Sequence, residues 1–292
     1  MNILVTGGTG TVGSQVVREL SARGQAVKVL TRDLKKAEAL PPGATAVEGN
    51  LHDVSSIRRI FSGIDAVFLI NTVTPTESAE GLMPLTQMRL DGVKRVVYVS
   101  VHHADAAAWL PHFGAKVGIE EAIKRSGIPY TILRPNNFYQ NDYYFKDVIV
   151  QHGVYPQPIG SAGLSRVDVR DIAEAAAIAL TTAAHEGQTY DLVGPEVVTG
   201  ESTAAAWAAA LGRDVVYGGD DLEAWEQVQL QYLPDWLVFD FKEMYRYFQQ
   251  HGLKASADAI ARQTALLGHA PRPFRTFAEE TARQWTSTGA GA

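Results

Sequence analysis

The sequence predicts an α/β fold, a Rossmann-type doubly wound parallel sheet with a small, mainly helical C-terminal substrate lobe. Three observations carry this prediction. An apolar, β-rich run from Met1 to Thr6 breaks into glycines and then starts a helical pattern from Val12 to Leu20. Strand-like and helix-like stretches alternate after it, which argues for a parallel sheet covered on both faces. Polar clusters then fall at the ends of the strand-like runs, the edge on which such sheets bind ligands.

The first strand ends in Gly7-Gly8-Thr9-Gly10-Thr11-Val12-Gly13. In a strand–turn–helix setting Gly7 permits the sharp turn, Gly10 lets the backbone approach a pyrophosphate, and Gly13 lets the helix pack close. Unpaired N–H groups at the helix start, with the positive end of its dipole, converge there on an anion, so Thr9, Thr11 and Val12 join the glycines as cofactor candidates. The second strand, Ala26 to Thr31, ends at Arg32. An NAD site usually places an acid about twenty residues past the turn to bond the ribose. A guanidinium there suits a 2′-phosphate instead, so NADP is the expected cofactor, with NAD kept as the alternative because Asp33 follows. Lys35 and Lys36 read as a solvated helix face.

Strands follow at Ala44 to Gly49, Ala66 to Ile70, Arg95 to Ser100 and Tyr130 to Arg134. Between them lie helices Val54 to Phe61, Glu80 to Asp91 and Gly114 to Arg125, with Thr72 to Ser78 as loop and Ser126-Gly127 as a C-cap signal. Past about Asp142 the pattern loosens. Asp168 to Leu180 reads as a helix, Thr189 to Val193 as a short strand, and Ser202 to Leu211 and Asp221 to Phe248 as helical. The last of these is dense in aromatics, most of them expected in the core. Thr286 to Ala292 reads as a frayed tail. The expected domains are residues 1–150 for NAD(P) binding, with about 165–195 returning to it, and 196–292 as the substrate lobe.

Composition excludes several classes. The chain has 292 residues, a formal net charge of -6 and no cysteine. It is long enough for a large core, has no basic patch for nucleic acid, and cannot use disulfides, thiolate metal sites or a Cys nucleophile. His102, His103 and His112 lie close in sequence, but no carboxylate completes a metal-ligand spacing, so no metal is expected. No apolar run reaches membrane-spanning length and the first strand leaves no leader segment, which together predict a cytoplasmic protein with no membrane contact.

These residues resemble the NmrA-like, atypical branch of the short-chain dehydrogenase/reductases over nearly the whole chain. The markers are Val5 to Gly13, Gly49-Asn50-Leu51-His52-Asp53, Gly92 to Ser100, Ser126 to Pro135, and Asn137-Phe138 with Asn141. Val169-Arg170-Asp171-Ile172-Ala173-Glu174, Leu233 to Trp236 and Leu267 to Arg272 continue them. The resemblance implies an NAD(P) cofactor, with Asn50 and Leu51 bordering the adenine and Asn71 the ribose–pyrophosphate. It also implies that Pro135, Asn137 and Phe138 run beside the nicotinamide. A homodimer is common in this class.

Hydride transfer to a carbonyl needs a proton donor near the developing alkoxide and a charge to tune it. The superfamily's usual Tyr, four residues before a Lys, is missing: His112 stands at that spacing from Lys116. Both side chains share a helical face. Lys116 would hold the cofactor, His112 or His102 would supply a proton, and Ser100 ends the fifth strand. The absent Tyr points to direct hydride delivery to a quinone or other conjugated aromatic acceptor. Asn136, Phe138, Tyr139, Asn141 and Tyr143 combine stacking surface with polar groups and would hold such a small aromatic substrate. Two other readings stand beside the reductase. One is an oxygenase-like tailoring enzyme of aromatic polyketides, and the other a non-catalytic NADP-binding redox sensor.

Overall fold

A computed structural model describes residues 1–37 and 39–287, so most of the predicted Thr286–Ala292 tail lies outside the described residues, as does the Lys36 side chain. The chain divides into two compact units, Met1–Pro135 with Val169–Asp191, and Asn136–Asp168 with Leu192–Ala292.

In chain order the first unit opens with strand β1 (Asn2–Val5), helix α1 (Thr11–Ala22), β2 (Ala26–Thr31) and β3 (Ala44–Glu48). It continues with α2 (Val54–Phe61), β4 (Ala66–Leu69), α3 (Glu77–Leu90), β5 (Arg95–Val99), α4 (Pro111–Lys124) and β6 (Tyr130–Pro135). The second unit contributes α5 (Lys146–His152) and β7 (Val154–Tyr155); α6 (Val169–Thr181) and β8 (Gln188–Leu192) then return to the sheet. The remainder is α7 (Gly200–Leu211), β9 (Val216–Tyr217), α8 (Leu222–Gln229), α9 (Asp235–His251), α10 (Ala257–Leu267) and α11 (Phe274–Ser287).

The sheet order is β3-β2-β1-β4-β5-β6-β8. The pairs from β3 through β6 are parallel, with Val5 beside Val29 on one side and beside Phe68 on the other. The chain therefore reverses direction of travel at β1, and the crevice beyond the ends of β1 and β4 is the switch point where such sheets take ligands. Leu4, Val67, Leu69, Val96 and Tyr98 point to one face, where Ile57, Ile60, Phe61, Leu85, Met88, Ile119 and Ile123 from α2, α3 and α4 cover them. On the other face α1 and α6 pack side by side. Alternation of direction along each strand sends consecutive apolar residues to opposite faces, so both faces need a helical cover. Each fully buried aliphatic side chain contributes roughly 1.5–3 kcal/mol of transfer free energy.

Four boundaries differ from expectation. Helix α4 starts at Pro111, which suits a first helical position, so it already contains His112. Helix α3 starts at Glu77, inside the stretch expected as loop. The helical run expected from Asp221 to Phe248 is two helices, because Pro234 pushes the preceding residue out of helical backbone and then caps α9. Finally, residues 136–150 group with the second unit. There the Asn136 N–H donates to the Leu192 carbonyl and its Nδ2 to the Leu253 carbonyl, which ties the segment to the later chain.

The second unit has its own aromatic core. Trp207 of α7 stacks on Trp285 of α11 at 4.7 Å, with Phe274 and Phe277 edge-on to it. Arg166 and Asp142, both without solvent exposure, form an ion pair within this unit. Among the described residues no helix is long and apolar enough to cross a membrane.

Candidate functional site

The strand–loop–helix motif forms the cradle its glycines predict. Gly7 turns with φ +59°, and the Gly10 N–H donates to the Gly7 carbonyl at 2.9 Å. A Cβ on Gly13 would lie 2.2 Å from that same carbonyl oxygen, and on Gly8 2.7 Å from Val29, so neither position admits a side chain. Gly10 is the N-cap of α1 and leaves the helix start without any side-chain cap. Thr9 and Thr11 are exposed at this opening, while Val12 is buried behind it. An uncapped start next to bare backbone is what an anionic pyrophosphate requires.

The adjoining strand ends carry buried polar atoms short of partners. Thr6 Oγ1 donates toward the Phe68 and Ile70 carbonyls and accepts the Ile70 N–H, fastening the ends of β1 and β4 together. Directly after, Asn71 is buried with neither amide atom hydrogen-bonded, and at the end of β5 the buried Ser100 hydroxyl is equally without a partner. Most buried polar atoms of folded proteins are satisfied, so such groups call for a ligand or a water. They fit a dinucleotide's ribose and phosphate oxygens, as the glycine cradle does.

Past β5 the chain makes a tight loop. His103 adopts φ +59°, the only non-glycine among the described residues to do so, and its Nδ1 is buried without a partner. A bulky residue in left-handed backbone is strained, and such strain gathers at functional sites. His102 beside it is buried, which pushes its pKa down to about 3, helped by His103 and Arg134. His102 is thus a neutral imidazole at neutral pH, with one ring N–H left to give. Burial also lowers His103, against the pull of Asp191.

On α4 the face His112, Lys116, Glu120 is buried. Lys116 Nζ donates to Glu77 Oε1 at 2.5 Å. Glu120 takes Arg134 in a two-pronged pair, Nε on Oε1 at 2.8 Å and Nη2 on Oε2 at 2.6 Å. Burial, then the Glu77 and Glu120 carboxylates, hold the Tyr98 phenol well above its usual range. His112 stands one turn before Lys116, edge-on to Phe113 at 4.7 Å.

At the opposite end, Arg32 is exposed just past β2. Asp33 is occupied locally: its Oδ1 accepts the Lys35 N–H and its carbonyl accepts Thr31 Oγ1. The Asn50–Asp53 turn is held by the Asn50 N–H on Ser56 Oγ and the His52 N–H on Asn50 Oδ1, leaving Leu51 half-buried.

Pro135 closes β6, and the remaining predicted residues belong to the second unit. Asn136 and Tyr139 are buried and use their polar groups there: Asn136 as described, Tyr139 by donating its Oη to the Arg272 carbonyl at 3.1 Å. Asn137 accepts Arg166 Nε at 2.8 Å. Phe138 and Asn141 are half-buried, and Tyr143 is exposed with its ring 5.7 Å from Phe277. Sequence reasoning missed Glu77, which fell in an expected loop, and Arg166, whose neighbours give no local signal of burial. His103 was noticed for its position, yet nothing in its sequence context reveals its backbone strain.

Residues 1–278 match the NmrA-like family. The NAD(P)H azoreductase of Xenophilus azovorans is 33% identical over 280 residues, covering 95% of this chain and 96% of that enzyme. An NADPH-dependent quinone oxidoreductase of Escherichia coli, solved with NADPH, superposes with a TM-score of 0.85 at 24% identity, over 96% of this chain and 99% of that one. The triphenylmethane reductase of Citrobacter sp., solved with NADP(H), gives 0.84 at 23% identity, over 96% and 99%.

Proposed function

The chain belongs to the NmrA-like family, and from that premise we propose that it is an NADPH-dependent oxidoreductase acting on a quinone or another conjugated aromatic acceptor. The observation that carries the reading is the uncapped start of α1 over the Gly7–Gly13 cradle, with Asn71 buried and unpartnered at the next strand end. The azoreductase, quinone oxidoreductase and triphenylmethane reductase names of its relatives support the acceptor class.

The residues divide the work as follows. Gly7, Thr9, Gly10, Thr11, Val12 and Gly13 receive the pyrophosphate, Arg32 the 2′-phosphate, and Asn50 with Leu51 the adenine. Asn71 and Ser100 offer buried hydrogen bonds to the nucleotide sugar and phosphate, and Lys116 offers an ammonium. Pro135, Asn137 and Phe138 line the nicotinamide. NADPH, when bound, supplies a hydride from C4 of that ring. His112 and His102 are the two proposed proton donors, and burial leaves His102 a neutral imidazole that could give only its ring N–H. A quinone suits so lightly equipped a site, because reduction restores aromaticity and the oxygens can be protonated by water. Phe138, Asn141 and Tyr143 are assigned to the aromatic acceptor.

The test is titration of the purified protein with NADPH and NADH, then addition of quinones, azo dyes and polycyclic aromatic ketones, following nicotinamide absorbance and oxygen together. NADPH loss with a matching reduced product is expected. Oxygen uptake with a hydroxylated product would replace the reading with a tailoring enzyme. Tight binding without oxidation across the panel would replace it with a sensor.

A further inference from the structure

The pairing of Glu77 with Lys116 has no explanation in packing. The two side chains are buried, at 2% and 7% exposure. Moving two charges out of water commonly costs more than their attraction returns, and apolar residues of similar volume serve stability as well or better. The fold nonetheless builds a close helix approach around this pair. A Cβ on Gly81 would lie 2.5 Å from Cδ1 of Ile119, so the bare glycine lets α3 and α4 close together. One turn back along α3, Glu77 reaches Lys116. The next acid on α4, Glu120, is already matched by Arg134. Glu77 is therefore a buried counter-charge of Lys116.

We infer that Glu77 is a positioning residue that fixes the Lys116 ammonium in place for the nucleotide and so sets NADPH affinity. A lysine stem has four rotatable bonds, and holding a cation ready ordinarily costs freedom at the moment of binding. With one of three N–H donors bound to Glu77, the ammonium is oriented beforehand, and its other donors can meet a sugar hydroxyl at little further cost. The inference rests on the proposed function, since it needs Lys116 to face the nucleotide.

Three variants of the whole chain test it: Glu77→Gln, Lys116→Met, and Glu77→Leu combined with Lys116→Met. NADPH dissociation constants come from fluorescence titration, Tm from calorimetry, and kcat with both KM values from turnover of 1,4-naphthoquinone. Glu77→Gln is expected to raise the Kd and KM for NADPH about tenfold or more, with the quinone KM unchanged. The double variant removes both buried charges, so its Tm should equal or exceed that of the wild type while its NADPH affinity stays as low as that of Lys116→Met. A purely structural pair gives the opposite pattern: Tm falls in Glu77→Gln, and the double variant regains wild-type Kd and kcat. That result overturns the inference and leaves the functional reading intact. A wild-type protein that binds no NADPH overturns both.

Discussion

Two clusters of buried polar groups, one in each unit, are satisfied to opposite degrees. In the second, Arg166 has no solvent exposure, and acceptors meet all five of its N–H donors. Nε donates to Asn137, Nη1 to Asp142 and Tyr155, and Nη2 to Asp142 and the Phe138 carbonyl. Asp142 also accepts from Gln157 and from Trp207 Nε1. In the first unit, Asn71, the Ser100 hydroxyl and His103 Nδ1 are buried without partners at the ends of β4 and β5. A saturated network rigidifies a core, whereas an unsaturated one is completed by something from outside. The saturated pairing around Arg166 marks scaffold, and the missing hydrogen bonds at the ends of β4 and β5 mark the candidate site.

The largest effect should come from breaking the saturated network. Arg166→Met leaves Asp142 as a buried, uncompensated charge and should cost about 3–5 kcal/mol of folding stability, read by urea denaturation. A loss under about 1 kcal/mol would mean water reaches Asp142, and the contrast between the units would fail.

Acid should discriminate next. Above pH 6.5 His102 is neutral folded or unfolded and contributes nothing. Below it the unfolded chain takes up a proton that the folded site refuses down to about pH 3, so stability falls as pH falls through that window. Between pH 7 and pH 5 the wild type should lose about 2 kcal/mol more than a His102→Gln variant. Equal losses would show that His102 titrates normally and is not sealed from solvent.

These predictions also mark what was legible beforehand. The Rossmann-type sheet and the glycine cradle could be read because their signals are local: an apolar run, a turn that only glycine permits, an amphipathic helix. The Lys116–Glu77 contact could not, since the partners lie thirty-nine positions apart and the enabling feature is a glycine opposite Ile119. Arg166 was invisible for the same reason, because an arginine in a polar stretch reads as exposed until the chain folds around it. Residues 136–144 look like a ligand loop by composition, yet Asn136 and Tyr139 use their polar groups inside the second unit. Composition cannot tell a polar group that serves a ligand from one that serves the chain's own turns.

The unsaturated side is sharpened by Asn71→Leu. Removing an amide that has no partner should leave stability within about 1 kcal/mol of wild type, or raise it, because no bond is lost and a desolvated polar group disappears. NADPH affinity should fall about tenfold, equivalent to about 1.4 kcal/mol. A variant that unfolds as readily as Arg166→Met would place Asn71 in the scaffold.

The smallest effect concerns cofactor choice, where the two candidate residues differ in how far they are already engaged. Asp33 gives its carboxylate to the Lys35 N–H and its carbonyl to Thr31, so meeting a bare ribose would require it to leave that turn. Arg32 is exposed and offers a planar fork to a phosphate. Arg32→Ala should therefore weaken NADPH several-fold, up to about tenfold, leave NADH binding and Tm unchanged, and show less effect as salt rises. Equal weakening of both cofactors would mean that Arg32 supports the adenine end generally. A wild type that prefers NADH would mean that Asp33 does give up its turn, and the Lys35 bond would then be the one to break by substitution.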